Sequence, residues 1–276
     1  LDAADVALTE AAVGAGVSTV LLLGTLALTA DKEKAGGIPV LLPLMVVSLA
    51  TAVLLYATFD KPVLGDPNAP VQTHVTPRYL EKGPTEVGVP NLVTAVLASY
   101  RGYDTLGEVV VVFTAGIGVL LILGSGPRRG RYVSTIRTDA IRGIKHHLVP
   151  RVVSKLLIPF IVLFALYVQF HGDYSPGGGF QAGAIFAAAI MLYALARKAL
   201  PEKAMAFLAT VGVLLYAGVG FVAMARGGNF LDYSVLSDDA LAGQHLGIIL
   251  IELGVGMTVA TTLVSIFYSF AGRERR

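Results

Sequence analysis

The sequence predicts an all-α membrane protein, a polytopic helical bundle of about seven transmembrane helices, and three observations carry that reading. Hydrophobic residues make up 55% of the 276 and charged residues only 14%, with a mean hydropathy of +0.71; soluble domains hold roughly 25% charged residues. Apolar runs of about twenty residues recur along the chain, the length that crosses a hydrocarbon core of roughly 30 Å at 1.5 Å of rise per residue. Basic residues collect on alternate connecting segments, as in a chain threaded repeatedly through a bilayer. A soluble enzyme does not fit these facts. The chain has no cysteine, which removes disulfides, thiolate nucleophiles, iron–sulfur ligation and cysteine zinc sites, so any redox chemistry belongs to partners.

The first apolar run, 3–28, holds Asp5 near its start and Glu10 inside it. The chain starts at Leu1 rather than Met, and no charged leader with a cleavage site precedes this run. Gly14, Gly16 and Ser18 give it small residues for close helix contact in lipid. A polar hinge, 31–37, returns the chain into a second span, 38–59, which carries no charge and reads as scaffold. Residues 60–90 are polar and proline-rich, too broken for a long helix, and read as an external loop joining two modules. Asn91 can cap a short helix over 92–99, Gly102 offers a break, and Arg101 then sits at the interface. The third span, 103–123, is the one around which the chain is organised. Residues 124–150 follow with Arg128, Arg129, Arg131, Arg137, Arg142 and Lys145 beside His146 and His147, the largest basic cluster in the sequence. Four more spans are read at 152–170, 180–195, 204–225 and 246–267.

The positive-inside rule makes the basic 124–150 segment cytoplasmic. Arg197, Lys198 and Lys203 then fall on an inside loop, and Arg273, Arg275 and Arg276 on an inside tail. The loop with Asp232, Asp238 and Asp239 falls outside. Seven spans therefore place the N-terminus outside and the C-terminus in the cytoplasm of a plasma-membrane protein.

Three spans contain an acid that their ends do not explain. Glu108 lies about 8 Å inside the start of the third span; Glu10 lies in the first; Glu252 stands in GQHLGIILIELGVGMTVA of the last. A charge at that depth costs about 2.5–3.5 kcal/mol on insertion scales, so such groups face protein or water, pair, or take a proton. The three glutamates are therefore candidates for an ion or proton route, against the plainer alternative of neutral acids hydrogen-bonded at helix contacts. Lys155 is either a partner for one of these carboxylates or a lysine snorkelling to the interface. His171, in FHGDYSPGGGFQAG, and His245, at a span start, are candidates for proton transfer at a surface, since imidazole titrates near neutrality. No histidine shows metal-site spacing on a helix, and neither a metal nor another cofactor is expected. Gly177 to Gly179 lack the preceding strand and following lysine of a phosphate loop and read as a tight turn. The basic cluster is topogenic; nucleic-acid binding is not expected.

Three strings carry a family resemblance. NLVTAVLASYRGYDTLGEVVVVFTAGIGVLLIL resembles a piece of the C-terminal part of the large A subunit of Mrp-type multisubunit Na+/H+ antiporters and of the E-type component of membrane-bound hydrogenases. DVALTEAAVGAGVSTVLLL resembles the last helix of the neighbouring D-type unit. LLIPFIVLFALYVQFHGDYSPGGGFQAGAIFAAAIMLYALA resembles the Mrp B subunit, with SPGGGFQ its most specific part. The resemblance implies a division into 1–59 (end of D-type, start of E-type), 60–123 (external loop and E-type core helix), 124–150 (cytoplasmic linker) and 151–276 (B-type, four helices). It implies a non-catalytic transport subunit that exchanges Na+ or H+ across the bilayer beside A-, C- and D-like membrane subunits, with the acids at Glu10 and Glu108 taking part in translocation; Glu252, read from its place in the last span, is added as a contributor from the B-like part. A non-conducting scaffold, or the ion-translocating module of a membrane-bound hydrogenase or sulfur-reductase-type respiratory complex, are the alternatives the resemblance leaves open.

Overall fold

The structure, a computed structural model, describes residues 4–28, 40–63, 65–124, 148–197 and 199–271. The basic cluster from Arg128 to His147, the hinge at 31–37, Lys198 and the arginines of the C-terminal tail lie outside the described residues. Those residues form helices and connections without a strand, and seven helices are long and apolar enough to cross a membrane. The all-α polytopic bundle is therefore the fold, as the hydropathy pattern predicts.

The chain divides into two compact units, Thr29–Lys82 and the remainder. In the smaller one, α3 (Leu41–Thr58) carries no buried side chain, which suits a helix without charge whose surroundings are lipid or other protein. The segment after it is more ordered than its prolines suggest. It holds α4 (Pro70–Thr73) and most of α5 (Thr76–Glu86), an 11-residue helix. Pro77 falls in the first turn of α5, where no intrahelical N–H is required, and Pro84 only two residues from its end. The sequence reading of 60–90 as a loop without a long helix misses this element.

In the larger unit the first span is α1 (Ala4–Thr9), a π-helical stretch over Glu10–Val17, and α2 (Ser18–Leu28). Then come α6 (Leu92–Thr94), a second π-helical stretch over Ala95–Tyr100, and α7 (Gly102–Gly124). As the sequence predicts, the Asn91 side chain caps α6, accepting from Val93 N at 2.9 Å. The break falls at Arg101, whose backbone leaves the helical region (φ −122°, ψ 28°). Arg101 is exposed and pairs with Asp104 at 2.6 Å. The last four spans are α8 (Leu148–His171), α9 (Gly179–Ala196), α10 (Glu202–Ala225) and α11 (Ala240–Ala271).

The core is built on α11, which packs against α7, α9 and α10. Its 32 residues span about 48 Å, well beyond the hydrocarbon thickness. Small residues let backbones meet, which in lipid replaces the hydrophobic driving force between helices. At the α10–α11 crossing, a Cβ on Gly212 would lie 2.6 Å from Gly254 O, and one on Gly254 2.7 Å from Gly212 O. Buried hydroxyls on α11 are answered by their own helix: Thr261 donates to Met257 O at 2.7 Å, Ser265 to Thr261 O at 2.8 Å and Ser269 to Ser265 O at 2.9 Å. A polar group without such a partner would be costly there.

The break at Arg101 leaves carbonyls that side chains from elsewhere complete. Thr105 Oγ1 donates to Leu97 O (2.8 Å), the fully buried Tyr233 donates its hydroxyl to Ala98 O (3.0 Å), and Tyr216 donates to Gly102 O (2.7 Å). Tyr233→Phe withdraws the donor that answers Ala98 O and is expected to cost about 1–3 kcal/mol. In thermal unfolding of the detergent-solubilised protein that is a fall of roughly 2–10 °C.

Candidate functional site

Three interruptions of regular helix build the site. The first is the π-helical stretch that opens at Glu10; the second is the irregular segment 91–101; the third is the turn from Gly172 to Gly178 between α8 and α9. Helical stretches of π type are rare and recur at functional sites.

Asn91 ties the three together. Its Nδ2 donates to Asp5 Oδ1 at 3.1 Å, to Gly172 O at 2.9 Å and to Ser175 O at 3.1 Å, while its backbone N–H donates to Asp173 O at 3.0 Å. Thr94 Oγ1 adds a 2.7 Å bond to Gly172 O, and Gly177 N–H donates to Asp5 Oδ1 at 3.1 Å. Asp5 is consequently only 7% exposed. Gly178 adopts φ +116°, a conformation for which glycine is suited, and a Cβ there would stand 3.0 Å from Glu252 Oε1. The turn therefore carries its backbone directly against that carboxyl.

Between these elements lies a cavity of about 270 Å³. Asp5, Glu10, Glu108 and Glu252 line it, with Thr9, Thr94, Thr105 and Gln181 as further polar groups and side chains such as Leu97, Val109, Phe180 and Ile251 as apolar walls. No lysine or arginine is among the lining residues. Four carboxyls thus share one space whose described lining holds no basic partner, a setting that suits a proton or a cation.

The structure thus brings together Glu10, Glu108 and Glu252, which stand on three different spans. Glu10 and Glu108 are exposed in this chain and Glu252 is half-buried. Lys155 stands on an exposed stretch of α8 and is not among the lining residues. His171 is half-buried and stacks on Tyr167 with ring centres 4.6 Å apart. His245 sets Nδ1 2.7 Å from Asp173 Oδ2, its own side chain 47% exposed and that of Asp173 6%. Burial pushes the Asp173 carboxyl above the usual carboxylate range, and the charge and hydrogen bond of His245 draw it partly back.

Sequence reasoning passes over two acids, Asp5 and Asp173. An Asp in the first turn of a span looks like an ordinary helix-start acid, and one in a polar turn looks solvated. The polar Asn91, placed before a span, was the available signal for Asp5, but its partners lie 81 to 86 residues away.

Comparison with known proteins follows the same division of the chain. Residues 149–265 match a family model described as a domain related to the MnhB subunit of Na+/H+ antiporter, and residues 41–132 match one for the MbhE component of MBH. The mnhB2 protein of Staphylococcus haemolyticus is 32% identical over 136 residues, which covers 46% of this chain and 96% of that protein. Two other curated relatives are matched over less than two thirds of their own length, 65% of one and 13% of the other. Among solved structures, the Mrp complex from Dietzia sp. DQ12-45-1b superposes with a TM-score of 0.68 at 25% identity, covering 99% of this chain and 30% of that one. The membrane-bound sulfane sulfur reductase, an archaeal respiratory membrane complex, superposes with a TM-score of 0.61 at 30% identity, covering 83% of this chain and 96% of that one.

Proposed function

Since this chain belongs to the family of MnhB-related antiporter subunits, with an MbhE-type segment ahead of its B-type part, we propose that it is an ion-translocating membrane subunit of a multisubunit cation/proton antiporter module. The cavity lined by Asp5, Glu10, Glu108 and Glu252, with no basic residue among its described lining, carries this reading. In it the carboxyls take up and release H+, or exchange it for Na+, in a space whose other walls are largely apolar. The chain's own chemistry is transport; catalysis, where the assembly performs any, belongs to other subunits. Its neighbours are A-, C- and D-like membrane subunits, with lipid around the remainder. The basic 124–150 segment faces the cytoplasm, so the N-terminus and the cavity end of the bundle face outward.

The test is Glu108→Gln in the assembled complex, reconstituted in vesicles. Antiport is expected to fall about tenfold or more with assembly intact, as for loss of a proton-transfer group. A scaffold would assemble and support normal transport with the amide, and that outcome would remove the reading. The MbhE match and the likeness to the sulfane sulfur reductase favour a second parent, a respiratory complex with the same ion-translocating module. Mass spectrometry of the purified assembly separates the two, because a respiratory parent brings metal-carrying redox subunits with it.

A further inference from the structure

Behind the turn that closes one side of the cavity stands a pair that the translocation reading does not use. Asp173 is buried to 5% exposure, and among the described residues its Oδ1 has no hydrogen-bond partner. Its Oδ2 lies 2.7 Å from Nδ1 of His245, whose ring is 47% exposed at the start of α11. The arrangement joins an open surface to the cavity wall. The backbone carbonyl of Asp173 accepts from Asn91, whose side chain holds Asp5, and the preceding Gly172 carbonyl accepts from the cavity residue Thr94. The turn that starts beside Asp173 runs on to Gly178, whose backbone stands against the Glu252 carboxyl, a Cβ there lying 3.0 Å from Oε1. A buried carboxylate oxygen left without a donor is a place for a proton or a water, since such a group is otherwise costly.

We infer that His245 and Asp173 form the proton port of the carboxylate cavity, with His245 exchanging protons with the aqueous surface and Asp173 passing them to and from Glu252. The inference rests on the translocation reading and adds the entry point to it. In each transfer the imidazolium gives its Nδ1 proton to Asp173 Oδ2 and becomes neutral, and it is recharged from water at the exposed edge of the ring. The proton then leaves Asp173 for the Glu252 carboxylate, through water where the gap requires it. The titratable groups around the pair are Glu252 on the same helix, Asp5 at the start of α1, and His171 and Tyr174 on either side of Asp173. His171 is engaged by the Tyr167 and Tyr174 rings, which leaves His245 as the imidazole in contact with the buried acid.

The experiment uses the assembled complex in membrane vesicles, with cation-driven proton movement followed as a function of pH. His245→Ala is expected to slow proton movement about tenfold or more, and to flatten the pH profile over the range in which an imidazole changes charge. Added imidazole at tens of millimolar should restore the rate to within about twofold, because the site opens to solvent, as chemical rescue of proton transfer requires. His245→Gln keeps a hydrogen bond to Asp173 without carrying a proton and should be as slow as the alanine variant; wild-type behaviour of the glutamine variant would overturn the proposal, as would a slow alanine variant that imidazole does not rescue. Glu252→Gln is run beside them. Should it be inactive while both His245 variants transport normally, the port alone is wrong; should it transport normally, the translocation reading itself is wrong.

Discussion

Glu252→Gln is expected to abolish ion movement, a loss of about a hundredfold or more, while leaving the complex assembled. The amide matches the acid in shape and keeps an acceptor and a donor, so it tests charge and proton exchange apart from packing. Glu252 is the most enclosed of the three glutamates. Its carboxyl faces the backbone of Gly178, whose Cβ would lie 3.0 Å from Oε1, and it shares the cavity with Asp5, Glu10 and Glu108. Glu10 and Glu108 are exposed, so water or a neighbouring subunit can partly replace either of them, and substitutions there are expected to cost less. Glu252→Asp keeps the ionisable group but withdraws it by one methylene, and should retain an intermediate rate. The ordering is read by antiport assays on reconstituted variants with size-exclusion chromatography as the control for assembly. Full activity of the glutamine variant would mean that the acid is a neutral hydrogen-bonding group at a helix contact and nothing more.

The spans were legible because the bilayer imposes a length and a polarity on each of them, and no later packing changes that demand. The three glutamates were legible for the same reason, since an acid among twenty apolar residues is an expense that invites a question. Their meeting in one cavity was not. It depends on where the π-helical stretches begin, on how far the 32-residue α11 extends past the core, and on bonds such as Asn91 to Asp5 and Gly177 to Asp5, which join residues 86 and 172 positions apart. No periodicity encodes those distances. Asp173 is invisible to sequence reasoning because a polar turn normally sits in water, where an aspartate means little, whereas here Asn91 donates to its carbonyl and His245 pairs with its carboxyl. The helix α5 was missed for the opposite reason: its two prolines count against a helix in any summed propensity, yet one stands in the first turn and the other near the last, where their effect is small.

Gly212→Val is expected to damage the bundle itself severely. A Cβ at this position would meet Thr258 Oγ1, lie 2.6 Å from Gly254 O and 2.9 Å from Thr258 N, so two of its three nearest neighbours are backbone atoms that cannot rotate away. The hydroxyl contact from Thr258 to Ala209 O, 3.3 Å across the same crossing, would be lost as the helices separate. Because α11 also packs against α7 and α9, moving it off α10 disturbs those contacts as well. Overpacking of this kind costs about 3 kcal/mol or more, which in a chain of this size lowers the unfolding temperature by roughly 10 °C. Gly218→Val on the same helix is the control: apart from its own helix backbone and chain neighbours, no heavy atom of the described residues lies within 4 Å of a Cβ built there, so a comparable loss of backbone freedom is introduced without a clash. Thermal unfolding of the two variants in detergent should separate them clearly, with Gly218→Val close to the parent. Equal stability of the two would show that α10 and α11 do not approach through these glycines, and with that the seating of α11, which carries Glu252 to the cavity, would have to be redrawn.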